Sequence, residues 1–262
     1  MKKTLLLMIV AGAFLFNGCS TVAVTGRSQL NLVNDSDVLA SSLTQYGDYM
    51  KTAQKSTDKN KTAMVTRVGR KIATATEQYL RANGLESEIK NYSWEFNLVQ
   101  SDEINAFCMP GGKIVVYEGI MKLVSSEDEL AVVVGHEVAH AVAKHSNERM
   151  SQQILSQYSS QALSKALSKK SLVTQKVATA VYGLGAQYGV MLPFSRKHES
   201  EADYMGLIFM KMAGYNPDVA VNFWKKMSAQ GSKTPEFMST HPSDSRRIDD
   251  INKALPEIKQ KY

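Results

Sequence analysis

The feature that most constrains the fold of this 262-residue chain is a pattern of histidine and glutamate set inside an apolar stretch. Residues 130–134 are all apolar, and the sequence Gly-His-Glu-Val-Ala-His follows directly at 135–140. An α-helix turns about 100° per residue, so His136 and His140 lie about 40° apart around its axis. A helix that is apolar on most sides packs in the interior of a protein. The pattern therefore predicts a buried helix that presents two imidazoles on one face.

Two histidines four residues apart on a helix can bind one metal ion. Glu137 lies about 100° from His136, close enough to reach a water molecule held by the metal. The alternative is an ordinary helix with two surface histidines. The apolar run argues against that alternative, and so do Ala139 and Ala143, small residues that let another element approach closely. A catalytic zinc ion needs a third protein ligand and one open position.

The best source of a third ligand is the segment 195–206, which reads Ser-Arg-Lys-His-Glu-Ser-Glu-Ala-Asp-Tyr-Met-Gly. Glu199 and Asp203 are four residues apart and therefore share one face of a helix with Ala202 and Gly206. Taken alone, this segment would be interpreted as a solvated acidic face. Paired with the first helix, it predicts two closely packed helices, with Glu199 as the third ligand and Asp203 as the group that orients a ligand histidine.

Together the two segments resemble the M48 family of gluzincin metallopeptidases, the Ste24/HtpX-like family. Three further stretches agree with it: Asn105-Ala106-Phe107 followed by Pro110-Gly111-Gly112, Thr240-His241-Pro242 followed by Arg246-Arg247, and Val24-Thr25-Gly26-Arg27. The resemblance extends from about residue 24 to residue 255. The integral-membrane branch of the family has several transmembrane helices. Residues 19–262 contain no apolar run of 18 residues, so the chain resembles the periplasmic lipoprotein branch.

The resemblance implies an α+β fold, a mostly helical zincin-like (gluzincin) domain with a small antiparallel sheet beside the H-E-x-x-H helix. It implies a zinc-dependent endopeptidase with one zinc ion per chain, held by His136, His140 and Glu199. A zinc-activated water would attack the peptide bond, with Glu137 as the general base. The substrates would be proteins or peptides, with misfolded or envelope proteins as the expected class.

The resemblance also implies roles for two other parts of the chain. His241 is a catalytic candidate with two open roles: its imidazole could stabilise the oxyanion of the transition state, or it could occupy the open zinc position and gate the site. Asn105, Ala106 and Phe107 are expected to bind substrate, because an extended peptide can add to an exposed strand.

The order of the predicted elements also indicates an α+β class. Ser126 with Glu129 three residues later is typical of a capped helix start, and that helix is expected to reach about Met150. Residues 151–190 are expected to form a lid or variable helices. The other predicted elements are helices over 36–84, 195–214, from Asn216-Pro217 and over 243–255, and strands over 93–99, 104–109 and 113–117.

The N-terminus has the features of a lipoprotein signal peptide. Lys2 and Lys3 precede an apolar stretch over 5–16, and Gly18-Cys19 resembles a lipobox. Lipidation of Cys19 would attach the protein to a membrane. Because Ser20 is not aspartate, the sorting rule of that class of lipoproteins favours the outer membrane, facing the periplasm. The expected organisation is a signal peptide over 1–18, a lipidated lead-in over 19–35 and an M48-like metallopeptidase domain over 36–262.

The amino-acid composition excludes several other classes of protein. Apolar residues make up 44% of the chain, which excludes a disordered protein. The net charge of +6 comes from scattered residues without a dense Lys/Arg run, so nucleic acid is not an expected partner. Envelope assembly factors are expected partners, on the basis of the family resemblance. The two cysteines, Cys19 and Cys108, exclude a disulfide-stapled mini-domain.

Several other side chains have ordinary interpretations. His145 would lie about 180° from His136 on a continuous helix, so it is not expected to bind the same metal. His198 is expected at the surface, and Glu201 is expected to point away from Glu199. Cys108 is expected to be a buried small hydrophobe, and Met205, Met210 and Met212 are expected in the core.

Two rival functions remain open at this point. One is an M48-like chaperone or assembly factor with little proteolysis. The other is a structural lipoprotein whose zinc ion stabilises the core, which predicts a closed site with four protein ligands.

Overall fold

The computed structural model describes residues 19–169, 171–172, 174–176, 178–179, 192–230, 237, 241 and 245–262. The expected signal peptide, Thr240 and Pro242 lie outside these residues, as does part of the expected lid. The strands are β1 (Cys19–Thr21), β2 (Ser28–Leu30), β3 (Glu95–Val99), β4 (Ala106–Met109) and β5 (Lys113–Tyr117). The helices are α1 (Asp35–Thr52), α2 (Lys59–Ala82), α3 (Glu86–Ile89), α4 (Glu118–Met121), α5 (Glu127–Val142), α6 (His145–Ala166), α7 (Leu192–Met212), α8 (Val219–Ser228) and α9 (Ser245–Lys261).

The described residues confirm the α+β class, in which helices dominate and the sheets are small. The main sheet has the order β3-β5-β4. Strand β5 pairs antiparallel with β4 and parallel with β3, so the sheet is mixed where a purely antiparallel one was expected. The reason is local. The turn Pro110-Gly111-Gly112 joins β4 and β5 as a hairpin, which leaves only the far edge of β5 for β3.

The expected extended lead-in over 19–35 is a small hairpin, with β1 and β2 antiparallel. Val22 beside it is buried in the main apolar core, so this segment packs on the rest of the domain. The segment 36–84, expected to be mostly helical, consists of two helices, α1 and α2. Each begins with its own side-chain cap, because Asn34 accepts a hydrogen bond from the N–H of Ser36 and Asp58 accepts one from the N–H of Lys61.

The helix that carries the H-E-x-x-H pattern begins as expected. The hydroxyl of Ser126 accepts a hydrogen bond from the N–H of Glu129 at 3.2 Å. The helix does not continue to Met150, because Lys144 adopts the left-handed conformation with φ 55° and separates α5 from α6. Because of this break, the side chain of His145 does not point in the direction predicted from a continuous helix.

Helices α5 and α7 pack against each other at the centre of the molecule. Both are lined by fully buried residues, such as Val134 in α5 and Ile208 in α7. Helix α2 and one face of the main sheet cover them, through side chains such as Ile72 and Ile114. The central helices therefore form a rigid platform for any group that they carry.

The C-terminal helices differ from expectation only at their ends. Asn216 accepts a hydrogen bond from the N–H of Asp218 at 3.0 Å, and α8 itself begins at Val219. Helix α9 continues past Leu255 with Pro256 inside it. In the described part of the chain, none of the helices has both the length and the apolar character needed to cross a bilayer.

Candidate metal centre

Four side chains converge between α5 and α7. His136 and His140 project from α5, Glu199 projects from α7, and His241 lies before α9. One potential ligand atom from each residue lies within 4.8 Å of the other three. His136 and Glu199 are buried, whereas His140 and His241 are partly exposed. Solvent therefore reaches the cluster on the side of His140 and His241.

The distances within the cluster suit a shared cation. Nε2 of His136 lies 3.1 Å from Nε2 of His140 and 3.2 Å from Oε2 of Glu199. Nδ1 of His241 lies 3.1 Å from the same carboxylate oxygen. Several lone pairs that point at one small volume repel each other unless a positive charge lies between them.

A carboxylate fixes the orientation of His136. Its Nδ1 lies 2.9 Å from Oδ1 of Asp203, so Nδ1–H donates there and Nε2 faces the cluster. Arg247 holds Asp203 in turn, donating from Nε at 2.7 Å and from Nη2 at 2.8 Å. Burial would raise the pKa of Asp203, but Arg247 and His136 outweigh it and lower that pKa. The spacing of Glu199 and Asp203 predicted this place for Asp203, and the structure adds Arg247.

The electrostatics of the cluster favour a positive charge at its centre. Burial lowers the pKa of His136, but hydrogen bonds to Asp203 and Glu199 outweigh burial and raise this pKa to about 9. Burial holds the pKa of His140 well below its usual range, so its imidazole is neutral. The imidazoles around Glu199 hold the pKa of that carboxylate well below its usual range despite its burial. Two imidazoles and an ionised carboxylate form a donor set that zinc prefers, so the residues fit a metal ion.

Glu137 lies beside the cluster without belonging to it. Its Oε2 accepts a hydrogen bond from the backbone N–H of Cys108 at 3.1 Å. Its Oε1 is buried, accepts no hydrogen bond from the residues that the structure describes, and lies 3.5 Å from Nε2 of His241. Burial raises the pKa of Glu137, which makes it a stronger base than an exposed carboxylate.

The three residues expected to bind substrate do not form one surface. Strand β4 lies at an edge of the main sheet. Ala106 is buried on the face that contacts the main core, whereas Phe107 packs on the opposite face, edge-on to Tyr49 and Tyr117. Asn105 uses its carbonyl to accept from the N–H of Tyr117, and its side chain accepts from the N–H of Ala106.

One expectation about a polar side chain is wrong, and another holds for a side chain that is more buried than an outward direction suggests. His198 is buried, with 1% of its surface exposed, and its Nε2 lies 2.9 Å from Oε2 of Glu148. Glu201 does point away from Glu199, but it is buried and bonds to Thr25, Arg27 and His145. A helical-wheel argument places a side chain on a face and cannot say which other element covers that face.

Other expectations hold. Met205 and Met210 are fully buried and Met212 packs against the same core. Cys108 is partly buried and packs against the main core, and burial raises the pKa of its thiol well above the usual range, which disfavours the nucleophilic thiolate. His145 is not among the four clustered residues. Its ring nevertheless contacts His140, a relationship that the break at Lys144 concealed from sequence reasoning.

Comparison with known proteins gives a consistent result. The sequence profile of peptidase family M48 matches residues 63–255. The mitochondrial metalloendopeptidase OMA1 of Schizosaccharomyces pombe is 33% identical over 95% of this chain and 70% of its own length. OMA1 of Homo sapiens is 27% identical over 93% of this chain and 47% of its own length. The beta-barrel assembly-enhancing protease of Yersinia pestis is 30% identical over 63% of this chain and 35% of its own length. The chain thus spans less than half of the length of each of the last two relatives.

Proposed function

This chain belongs to peptidase family M48, and on that premise we propose that it is a zinc-dependent endopeptidase whose metal is held by His136, His140 and Glu199. The observation that carries the proposal is the position of Glu137. Its Oε1 is buried, accepts no hydrogen bond from the described residues, and lies 3.5 Å from Nε2 of His241, one of the four clustered side chains. This is the arrangement that metal-assisted hydrolysis of a peptide bond requires.

The chemistry divides between the metal and the chain. A bound zinc ion would supply Lewis acidity, which lowers the pKa of water and polarises the carbonyl of the scissile bond. Glu137 then acts as the general base: Oε1 takes the proton of the attacking water and later delivers it to the leaving amine. The N–H of Cys108 holds Oε2, so the other oxygen keeps a fixed direction.

Two buried residues keep the first ligand in place. Asp203 accepts from Nδ1 of His136, and Arg247 keeps Asp203 ionised and correctly turned. Such partners of a ligand typically change metal affinity by about 10- to 100-fold when they are removed.

His241 is proposed as the second catalytic candidate. Its Nδ1 lies 3.1 Å from Oε2 of Glu199 and its Nε2 lies 3.5 Å from Oε1 of Glu137. From this position the imidazole can donate to a developing oxyanion. It can equally serve as a fourth ligand that closes the site, and the two roles predict opposite effects of its removal.

We also propose that an extended segment of substrate lies along the edge of β4. Part of that edge is already used, because the N–H of Cys108 donates to Glu137 and the carbonyl of Ile104 accepts from the N–H of Phe237. The remaining backbone groups give affinity with loose side-chain selectivity. This suits a protease of misfolded or envelope proteins, the substrate class that we propose. The Yersinia pestis relative is named for enhancing beta-barrel assembly.

The proposed location is the outer membrane, with the protein attached through lipidated Cys19 after removal of residues 1–18. The support is the sequence pattern of Lys2, Lys3, the apolar stretch and Gly18-Cys19. Cys19→Ala should abolish labelling with a palmitate analogue and release the protein from membranes. Unchanged membrane association of this variant would refute lipidation at Cys19.

The proposal is tested with the purified protein and an unfolded substrate such as casein. Cleavage should stop when a chelator is added and return with zinc. Glu199→Ala should lose both zinc and cleavage. Glu86→Ala removes a carboxylate that is 80% exposed, and it should match the wild type in both measurements. Zinc retained by Glu199→Ala would refute the ligand set.

A second candidate is a chaperone or assembly factor with little proteolysis. The observation that favours it is a fourth donor residue, His241, one nitrogen of which lies within 4.8 Å of ligand atoms of the other three residues. A site closed by four ligands binds metal without turnover. Zinc binding together with suppressed aggregation of casein, and no cleavage under any condition, would select this candidate.

A further inference from the structure

Arg27 lies at the centre of a buried polar network, although it belongs to the N-terminal hairpin. Its Nη1 and Nη2 donate to the two oxygens of Glu148 at 3.0 and 2.7 Å. Its Nε donates to Oε2 of Glu201 at 2.8 Å. The Arg27 side chain is 12% exposed. This residue precedes the stretch 63–255 that matches the family profile.

The network reaches the metal centre through one histidine. Nε2 of His145 lies 3.0 Å from Oε2 of Glu201, and Nδ1 of His145 lies 2.8 Å from Nδ1 of His140. His145 contacts His140 because α5 ends at Val142 and the left-handed Lys144 redirects the chain before α6 begins at His145. A continuous path of hydrogen bonds therefore connects Arg27 to a proposed zinc ligand.

The protons along this path can be assigned from the charges. Oε1 of Glu201 accepts from the hydroxyl of Thr25, and Oε2 accepts from Nε–H of Arg27 and pairs with the guanidinium charge, so Glu201 acts as an acceptor in this network. Nε2 of His145 must then carry a proton and donate. A neutral imidazole has one donor and one acceptor, so Nδ1 of His145 accepts from Nδ1–H of His140. This leaves the lone pair on Nε2 of His140, which faces Glu199 and His136.

A second contact fixes the plane of the His145 ring. His198 stacks on it with ring centroids 4.1 Å apart and an angle of 13° between the planes. His198 is held by Glu148, the other carboxylate bound to Arg27. Both arms of the network therefore depend on the same guanidinium. Without this guanidinium, the buried carboxylates of Glu148 and Glu201 would lose the cation that both of them bind, which is energetically costly.

We propose that Arg27 is a positioning residue for the metal centre, which acts through Glu201 and His145 to fix the tautomer and orientation of His140. The inference rests on the proposed ligand set, and it makes the N-terminal hairpin a part of the metal-binding unit. Glu201, which sequence reasoning assigned no role, is an essential link in this path.

The test measures zinc affinity of the full chain by competition with a chromophoric chelator. Arg27→Gln and His145→Phe should both bind zinc about 10- to 100-fold more weakly than the wild type. His145→Phe keeps an aromatic ring to stack on His198, and it removes both the acceptor for His140 and the donor to Glu201. The matched control is Arg81→Gln, which breaks an exposed ion pair with Glu77 and should bind zinc as the wild type does.

A second readout separates positioning from a general structural role. Cobalt(II) substituted for zinc should show visible absorption bands of altered position or intensity in both variants, measured where circular dichroism shows them folded. Should Arg27→Gln not fold, Arg27→Lys keeps the positive charge and loses the three-bond geometry, and it should still weaken zinc binding.

The outcomes are distinct. If wild-type protein does not bind zinc, the proposed ligand set fails. If the wild type binds zinc and the folded Arg27 and His145 variants match it in affinity and in cobalt spectrum, the positioning role of Arg27 is refuted.

Discussion

Gly135 and Gly206 bring the backbones of α5 and α7 into direct contact. A Cβ atom added to Gly135 would lie 2.9 Å from the carbonyl oxygen of Gly206, and one added to Gly206 would lie 2.8 Å from the carbonyl carbon of Gly135. Both distances are shorter than van der Waals contact. Because His136 adjoins the first glycine and Glu199 lies two turns before the second, this close approach determines whether the two ligands meet.

Gly206→Ala should therefore destabilise the protein and weaken its metal site. The added methyl group meets backbone, which cannot rotate away, so the helices must separate. Overpacking of this kind typically costs about 1–3 kcal/mol of unfolding free energy. Urea denaturation measures that cost, and a chelator competition assay should show weaker zinc binding.

A matched control is available in the same chain. Gly47 lies within α1, and a Cβ there meets nothing within 4 Å. Gly47→Ala should stabilise the protein slightly, by up to about 1 kcal/mol, because alanine favours a helix more than glycine does. Equal stability of the Gly206→Ala variant and the wild type would show that the helices tolerate a wider separation.

Removal of His241 distinguishes its two proposed roles. If its imidazole stabilises the transition state, His241→Ala should keep zinc and lose activity by about 10²-fold or more, the scale for an oxyanion donor. If His241 closes the site at rest, the same change should raise casein cleavage or provoke self-cleavage. Wild-type cleavage rates together with unchanged zinc affinity would exclude both roles.

Glu148 should make the stability of the protein depend on pH below 4.5. Burial would raise its pKa, but hydrogen bonds from His198 and Arg27 lower it from 4.5 to about 2. A lowered pKa stabilises the fold fully above the unfolded value, and this stabilisation disappears as pH falls through the folded value. The wild type should therefore lose stability between pH 4.5 and about 2.

Glu148→Gln should be less stable than the wild type at neutral pH and should lose less stability over that acid interval. The measurement is urea denaturation from pH 6 to pH 2 in the presence of a chelator, so that metal release does not contribute. Parallel curves for the two proteins across this interval would contradict the assigned shift.

Local sequence information predicted much of the fold around the site. Three features depend only on contacts within one helix or between two neighbouring helices, and the structure places them as their spacing predicted. They are the Ser126 cap, the apolar run before Gly135 and the small residues of α7. The convergence of His136, His140 and Glu199 was predicted from the same spacing. Their roles as zinc ligands remain a proposal.

What sequence reasoning missed depends on contacts between distant parts of the chain. A helical wheel continued through Lys144 placed His145 on the wrong side, because one left-handed residue redirects the chain. His198 was expected at the surface because nothing in its own helix indicates that Glu148 covers it. Arg27 pairs with residues more than one hundred positions away, and no periodicity reveals such a contact.

The central claim is that Glu137 is the base of a zinc-dependent peptidase and not a ligand. Glu137→Gln tests it most directly, with zinc content and casein cleavage measured on the same preparation. The account predicts a folded protein with near-stoichiometric zinc and turnover lower by about 10²-fold or more. Wild-type cleavage by the zinc-loaded variant would contradict the account, because proteolysis would then proceed without the carboxylate assigned to move the proton.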